Sequence, residues 1–364
     1  MSSSVMKQLI SISIRTLDSP LRHLRLLSTL SSPKQHSSCD YTAKSRFRPS
    51  RFSVRTRNMS TRAKKDLSFW QDNFKQWTVK DISVIQEPYS ATLRVPGLTP
   101  ESFNRYANPQ AQSLLFVALS ARVFMFHEPY NDAGDIFMDW ARTTSDRLIF
   151  ISSTEVSFSR ALYDPEVKKT ELDVKIKLGY VGNASVAMVT ELYSPDNKDE
   201  PICSQVAQTV SIDKSTRKPT PFQDWFRDKF VGRGIRDRGL VIRPFERPEN
   251  AFPYELKVRW SDTDGYNHVN ALKYITFAED AVHAALVHSE SGEKTHNTAL
   301  RGLTEDFLIN GFKSMQISFQ NESLEGENLV AYVWQPEEED PSVVKCSIER
   351  NDQRICQLRF EYYD

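Results

Sequence analysis

The chain has no uninterrupted apolar run approaching the roughly 18 residues that a membrane-spanning helix needs, so no span is expected. Cysteine is scarce: Cys39, Cys203, Cys346 and Cys356 form no CxxC pair and have no metal-ligand spacing to histidine. That excludes a disulfide scaffold or a zinc ribbon and predicts reduced thiols in a reducing compartment. The GxSxG, P-loop, HExxH and GxGxxG patterns are missing, and the glycines Gly232, Gly234 and Gly239 have the wrong spacing for the last. α/β-Hydrolase, nucleotide-binding and zinc-hydrolase readings fall with them, and no cofactor or metal is expected. Acidic residues are nearly absent from positions 1–65, where Asp18 and Asp40 face 14 Lys and Arg. The rest of the chain carries 33 basic against 45 acidic residues, so the net charge of zero hides an acidic body. Such a body is unsuited to neutralising phosphates, and nucleic acid is not expected as a partner.

What is present begins with that basic segment. Residues 1–65 are rich in Ser and Arg, and from Val5 to Leu27 Leu and Ile alternate with Lys7, Arg15, Arg22 and Arg25. This is the composition of a transit peptide, and it predicts a mitochondrial address. A plastid peptide reads similarly, and a cytosolic protein would result if translation began at Met59.

The body reads as one unit written twice. Ala91-Thr-Leu-Arg-Val95 has a counterpart in Tyr254-Glu-Leu-Lys-Val258, each a short strand running into a polar loop. Each loop reaches an Asn placed to open a helix: Asn108, with Pro109 and the run to His127, and Asn270, with Ala271 to His288. In the second, Leu272, Ile275, Ala278, Val282, Ala285 and Leu286 recur at helical spacing and make one apolar face. Downstream, Val156-Ser-Phe158 matches Ile317-Ser-Phe319, and further alternating strands follow in both copies. The pattern predicts an α+β chain with two tandem domains, 80–213 and 251–364, each a curved antiparallel sheet wrapped around one long helix. Residues 214–250, with Pro219, Pro221, Pro244 and Pro248 around Trp225 and Phe226, read as a linker that is partly packed.

The densest local signal is Trp260-Ser-Asp262-Thr-Asp264-Gly-Tyr266-Asn-His268-Val-Asn270-Ala271-Leu-Lys-Tyr274. The motif resembles that of acyl thioesterases, whose reaction needs an activated water or a carboxylate at the carbonyl carbon, and donors aimed at the developing oxyanion. A helix N-terminus supplies free N–H groups and a positive dipole end, so amides at Asn270 and Ala271 are candidate oxyanion donors opposite Asp264. His268 is placed to orient the water or protonate the leaving thiolate. Taken singly these residues have plainer readings: Asp262 and Asp264 as turn residues beside Gly265, Asn270 as an N-cap, Glu322 as a solvated acid.

The motif resembles that of the hotdog-fold acyl thioesterases (4-hydroxybenzoyl-CoA thioesterase-like), most closely the double-hotdog plant acyl-carrier-protein thioesterases. The resemblance implies two hotdog repeats with the active motif in the second, the first having lost catalysis and serving as the partner face of an acyl tunnel. Its implied catalytic residues are Asp264 as base or nucleophile, His268, and Glu322 as a second carboxylate in Met315-Gln-Ile-Ser-Phe319-Gln-Asn-Glu322-Ser323. Asp262, Tyr266, Tyr274 and Ser323 form the supporting loop. Tyr266 stands where the plant enzymes have Asn, and Ser323 where they have Cys. The implied substrate is an acyl-CoA or acyl-carrier-protein thioester, and a homodimer is compatible with the fold. The competing readings are a non-catalytic binder of acyl thioesters or a carrier protein, with a decayed site, and a hydroxyacyl-thioester dehydratase.

Overall fold

The computed structural model describes residues 77–290, 298–300 and 302–364. The basic segment 1–65, with its expected address, and Cys39 lie outside the described residues. Eleven antiparallel strands form one sheet: β1 (Lys80–Ile85), β2 (Ser90–Pro96), β3 (Arg147–Phe158), β4 (Glu171–Val181), β5 (Ser185–Tyr193), β6 (Cys203–Asp213), β7 (Phe252–Lys257), β8 (Phe312–Phe319), β9 (Asn328–Trp334), β10 (Val343–Arg350) and β11 (Gln353–Tyr362). Their spatial order is β1-β2-β4-β5-β6-β3-β8-β11-β10-β9-β7, so each half of the chain contributes an unbroken set of strands. The alternation in β4 and β7 is the two-residue period of a sheet with one face covered. β1 was not anticipated: it is a mostly exposed edge strand whose pairing with β2 is irregular between Lys80 and Ser83, with Asp81 at φ 54°, and it has too little apolar alternation to read.

The halves join through β3 and β8, where Glu155 lies opposite Gln316 and Val156 opposite Met315. The two words matched in the sequence, Val156-Ser-Phe158 and Ile317-Ser-Phe319, make Glu155 the equivalent of Gln316. Equivalent residues therefore face each other, the self-complementary pattern of a local two-fold axis. The Gln316 amide donates to Glu155 Oε1 at 2.9 Å across that point.

The long helices are α1 (Ala111–His127) and, in the second half, α4 (Lys273–Glu290); three short ones are α2 (Trp140–Thr143), α3 (Asp224–Phe230) and α5 (Glu305–Asn310). α1 buries Leu114, Leu115, Ala118, Ala121 and Met125, and α4 buries Ile275, Ala278, Ala281, Val282 and Ala285, against the inward residues of the sheet in one shared core. Both helices begin later than their predicted Asn. The residue preceding α1 is Gln110, and α4 opens at Lys273, because Asn270 Oδ1 accepts Leu272 N–H at 3.0 Å and holds residues 270–272 in a turn.

The segment 214–250 is anchored to the sheet at several points. Phe222, Phe226 and Phe230 are buried, with successive ring centroids 4.4 and 4.8 Å apart. Ile235 N–H then bonds Leu178 O, Leu240 N–H bonds Gln208 Oε1, and Phe245 exchanges two hydrogen bonds with the Gln357 side chain. The strap thus crosses the sheet from β4 to β11. It covers polar side chains such as Gln208 and Gln357 that strand alternation turns away from the helices, which explains how they are buried and satisfied.

Candidate active site

Beyond β7 the chain makes one 3-10 turn, Trp260–Asp262, and a tight hairpin to the start of α4. Asp262 is 1% exposed and accepts Arg259 N–H at 2.8 Å, Nε at 3.1 Å and Nη2 at 3.1 Å. Burial alone would raise its carboxyl, but the Arg259 bonds outweigh burial and hold it below the usual range. Asp262 is committed to bracing the turn.

In the hairpin, Asp264 N–H bonds His268 O at 2.8 Å and Asn267 N–H bonds Asp264 O at 3.0 Å, with Asn267 in the left-handed region at φ 63°. Thr263 pairs with Val269, so Asp264 and His268 are directly opposite. Opposite residues on paired strands project to one side with Cβ atoms about 5 Å apart. Asp264 Oδ1 accepts Tyr266 N–H at 2.8 Å, while the second oxygen accepts no hydrogen bond among the described residues. The plain reading and the chemical one therefore both hold: one oxygen shapes the turn and the other is free. Partial burial, and then the Asp264 charge, raise the half-exposed Tyr266 phenol.

His268 bridges to Leu324, and Val269 N–H bonds Ser323 O at 2.8 Å, which docks the hairpin on the segment following β8. That brings Glu322 to the site: His268 Nε2 lies 3.3 Å from Glu322 Oε2. The nearby Glu322 carboxylate favours a proton on Nε2 over one on Nδ1. Ser323 is fully buried and its Oγ has no partner of good geometry, although the Tyr274 hydroxyl of α4 faces it. Burial raises that Tyr274 phenol, so both groups are neutral supports under the site.

The predicted oxyanion donors divide. Asn270 N–H is consumed by Asp262 O at 2.9 Å, and its side chain caps Leu272, so Asn270 cannot serve as a donor through its amide. Ala271 N–H makes no hydrogen bond among the described residues and remains a candidate donor ahead of the helix.

Arg217 escaped the sequence reading. It lies on the turn leaving β6, at the head of the segment 214–250, and its Nη2 reaches Glu322 Oε1 at 2.8 Å and Oε2 at 3.0 Å. No local signal marks a partner 105 residues distant.

The first half repeats the three bonds that define the hairpin. Asn104 N–H bonds Asn108 O at 2.9 Å, Ala107 N–H bonds Asn104 O at 2.9 Å with Ala107 at φ 62°, and Tyr106 N–H bonds Asn104 Oδ1 at 2.9 Å. Asn104 therefore stands where Asp264 does, and Asn108 where His268 does. This corrects the register that set Asn108 against Asn270; the shared Tyr106 and Tyr266 were the available sequence signal. The first hairpin keeps the turn and has neither carboxylate nor imidazole. The described residues contain no cluster of His, Cys, Asp and Glu able to hold a metal, and Cys203, Cys346 and Cys356 are buried free thiols.

Two stretches match family models. Residues 110–230 match the thioesterase-like superfamily, and residues 245–296, which include Asp264 and His268, match the acyl-ACP thioesterase C-terminal domain. No curated protein matches the chain. Among solved structures, a putative oleoyl thioesterase from Lactobacillus plantarum is 14% identical with a TM-score of 0.54, covering 79% of this chain and 97% of its own. An acyl-ACP thioesterase from Bacteroides thetaiotaomicron is 13% identical with a TM-score of 0.51, covering 75% of this chain and 98% of its own. The 12:0-ACP thioesterase from Umbellularia californica is 14% identical with a TM-score of 0.52, covering 75% of this chain and 97% of its own. In both halves the chain is thus similar to thioesterase families, and it carries their hotdog fold.

Proposed function

We propose that the protein hydrolyses acyl thioesters, of coenzyme A or of an acyl carrier protein, to free acid and thiol, at the site built on Asp264 and His268. The observation that carries this reading is a carboxylate with one unengaged oxygen, on the residue directly opposite His268 in the hairpin and ahead of a helix start whose Ala271 N–H is unused. Water attacks the carbonyl carbon as Asp264 takes its proton. The oxyanion is met by Ala271 N–H and the positive end of α4. When the C–S bond breaks, the proton held by Asp264 passes by way of the His268 imidazole to sulfur, and acid and thiol leave.

Each half is read as one hotdog unit, about 80–213 and 251–364, with α1 and α4 as the central helices. The second unit performs the chemistry, since the first holds Asn104 and Asn108 in the equivalent places. The match of residues 245–296 favours the carrier-protein thioester as substrate. The test is a hydrolysis screen of C2 to C18 and aromatic acyl-CoAs and of acyl carrier proteins, with Asp264→Asn as control. Thiol release that Asp264→Asn abolishes is expected. Binding of a carrier protein without turnover of any substrate would replace this reading with that of a non-catalytic binder. A mitochondrial address for residues 1–65 is part of the proposal, and a diffuse cytosolic signal from a reporter fused to them would refute it.

A further inference from the structure

Arg217 stands on the turn that closes β6 of the first half, yet its guanidinium ends on the carboxylate that touches His268 in the second. The turn carrying it is rigidly built. Asp213 Oδ1 accepts Ser215 N–H at 3.0 Å, Thr216 N–H at 2.7 Å and both hydroxyls, while Arg217 N–H bonds Asp213 O at 3.0 Å. Arg217 itself sits in the left-handed region at φ 55°, a conformation that favours glycine. Its guanidinium carbon lies 5.1 Å from the Phe150 ring centroid on β3, so the side chain is steered as well as the backbone.

We propose that Arg217 is a positioning residue: it holds the Glu322 carboxylate against His268 Nε2, so that a turn of the first half sets the tautomer and orientation of the imidazole in the second. Stability does not account for the pair. Arg217 and Glu322 are 40% and 42% exposed, and an ion pair that open to water contributes little to folding. Orientation is a different matter, because a partly exposed glutamate left to itself rotates among many rotamers. Arg350, the other cation nearby, reaches the Glu322 carbonyl at 3.4 Å and is engaged by Glu327 at 2.6 and 2.7 Å, so it does not replace Arg217 on the carboxylate. Both contacts to the carboxylate come from one nitrogen, Nη2, rather than from a two-nitrogen fork. An ammonium can imitate a single donor nitrogen, so Lys is expected to substitute where Gln does not.

The inference rests on the reading of His268 as part of the site, and the experiment separates the two. Arg217→Gln, Arg217→Lys, Glu322→Gln and the double variant Arg217→Gln/Glu322→Gln are assayed on the thioester the wild type hydrolyses best, and the His268 ring nitrogens of each are observed by 15N NMR. Arg217→Gln is expected to lower kcat about tenfold, as loss of an orienting partner does, with KM within about twofold and Tm unchanged. Arg217→Lys recovers most of that loss. The double variant is no slower than Glu322→Gln, because an action through Glu322 vanishes with it. The imidazole holds one Nε2–H tautomer in the wild type and in Arg217→Lys, and mixes tautomers in Arg217→Gln. A double variant slower than Glu322→Gln, or an Arg217→Gln imidazole spectrum like that of the wild type, overturns the proposal. If the wild type hydrolyses no thioester, the functional reading fails by itself, and the imidazole spectrum still decides the role of Arg217.

Discussion

His268 Nε2 and Glu322 Oε2 lie 3.3 Å apart, joining the loop before α4 to the loop after β8. The carboxylate favours a proton on Nε2, and in the proposed mechanism Nδ1 is the nitrogen that moves a proton. His268→Ala is expected to cost about 10²- to 10⁴-fold in kcat with a small change in KM, the range of a lost general acid or base. Steady-state kinetics on the best thioester would check it, and a kcat within threefold of the wild type would remove His268 from the chemistry.

Asp264→Asn copies into the second hairpin what Asn104 already is in the first. Asn104 Oδ1 caps Tyr106 N–H at 2.9 Å, as Asp264 Oδ1 caps Tyr266 N–H at 2.8 Å, so the turn should survive. Thermal unfolding is expected to shift by no more than about 2 °C, about 1 kcal/mol at most, while kcat/KM falls at least about 10²-fold. Loss of activity together with a large drop in Tm would instead mark Asp264 as a turn residue alone.

Asp262→Ala should behave in the opposite way. It removes the acceptor of three Arg259 bonds from a buried position and leaves a backbone N–H unpaired. A loss of about 1 to 3 kcal/mol is expected, seen as a Tm several degrees lower, with substrate turnover per folded molecule reduced less than in Asp264→Asn.

Glu279, on α4, makes stability depend on pH. Burial first, and the neighbouring Asp280 second, push its carboxyl up to about 8 from an ordinary value near 4.5. The folded chain therefore keeps a proton there that the unfolded chain gives up above pH 4.5. Stability from this group is full below that value and declines as the pH rises through about 8. Glu279→Gln should match the wild type near pH 4.5 and melt higher at pH 8, by roughly 2 to 4 °C for each 1 kcal/mol recovered. Equal Tm values at both pH values would show that the Glu279 carboxyl is not shifted.

Much of the second half was legible because its signals are local. The apolar spacing of Ile275, Ala278, Val282 and Ala285 shows the core face of α4 directly. The Asp-Gly-Tyr-Asn-His run marks a hairpin through its turn chemistry, and that hairpin presents Asp264 and His268 together. Helix starts were less legible: the Asn270 cap on Leu272 N–H delays α4 to Lys273 and gives the Asn270 amide to Asp262, a choice between two short-range bonds that residue type alone does not decide.

Residue order by itself determined the repeat, the strands with a covered face, the apolar helix faces and the chemical types available between Asp262 and Tyr274. These follow from periodicity and turn preferences acting over a few residues. Only the tertiary structure decided that β3 pairs with β8 at Glu155 and Gln316, that Asn104 is the counterpart of Asp264, and that Arg217 and Glu322 meet across the halves. Those outcomes depend on how the two halves register against each other. That register is set by the packing of the shared sheet and core, which no short window of sequence contains.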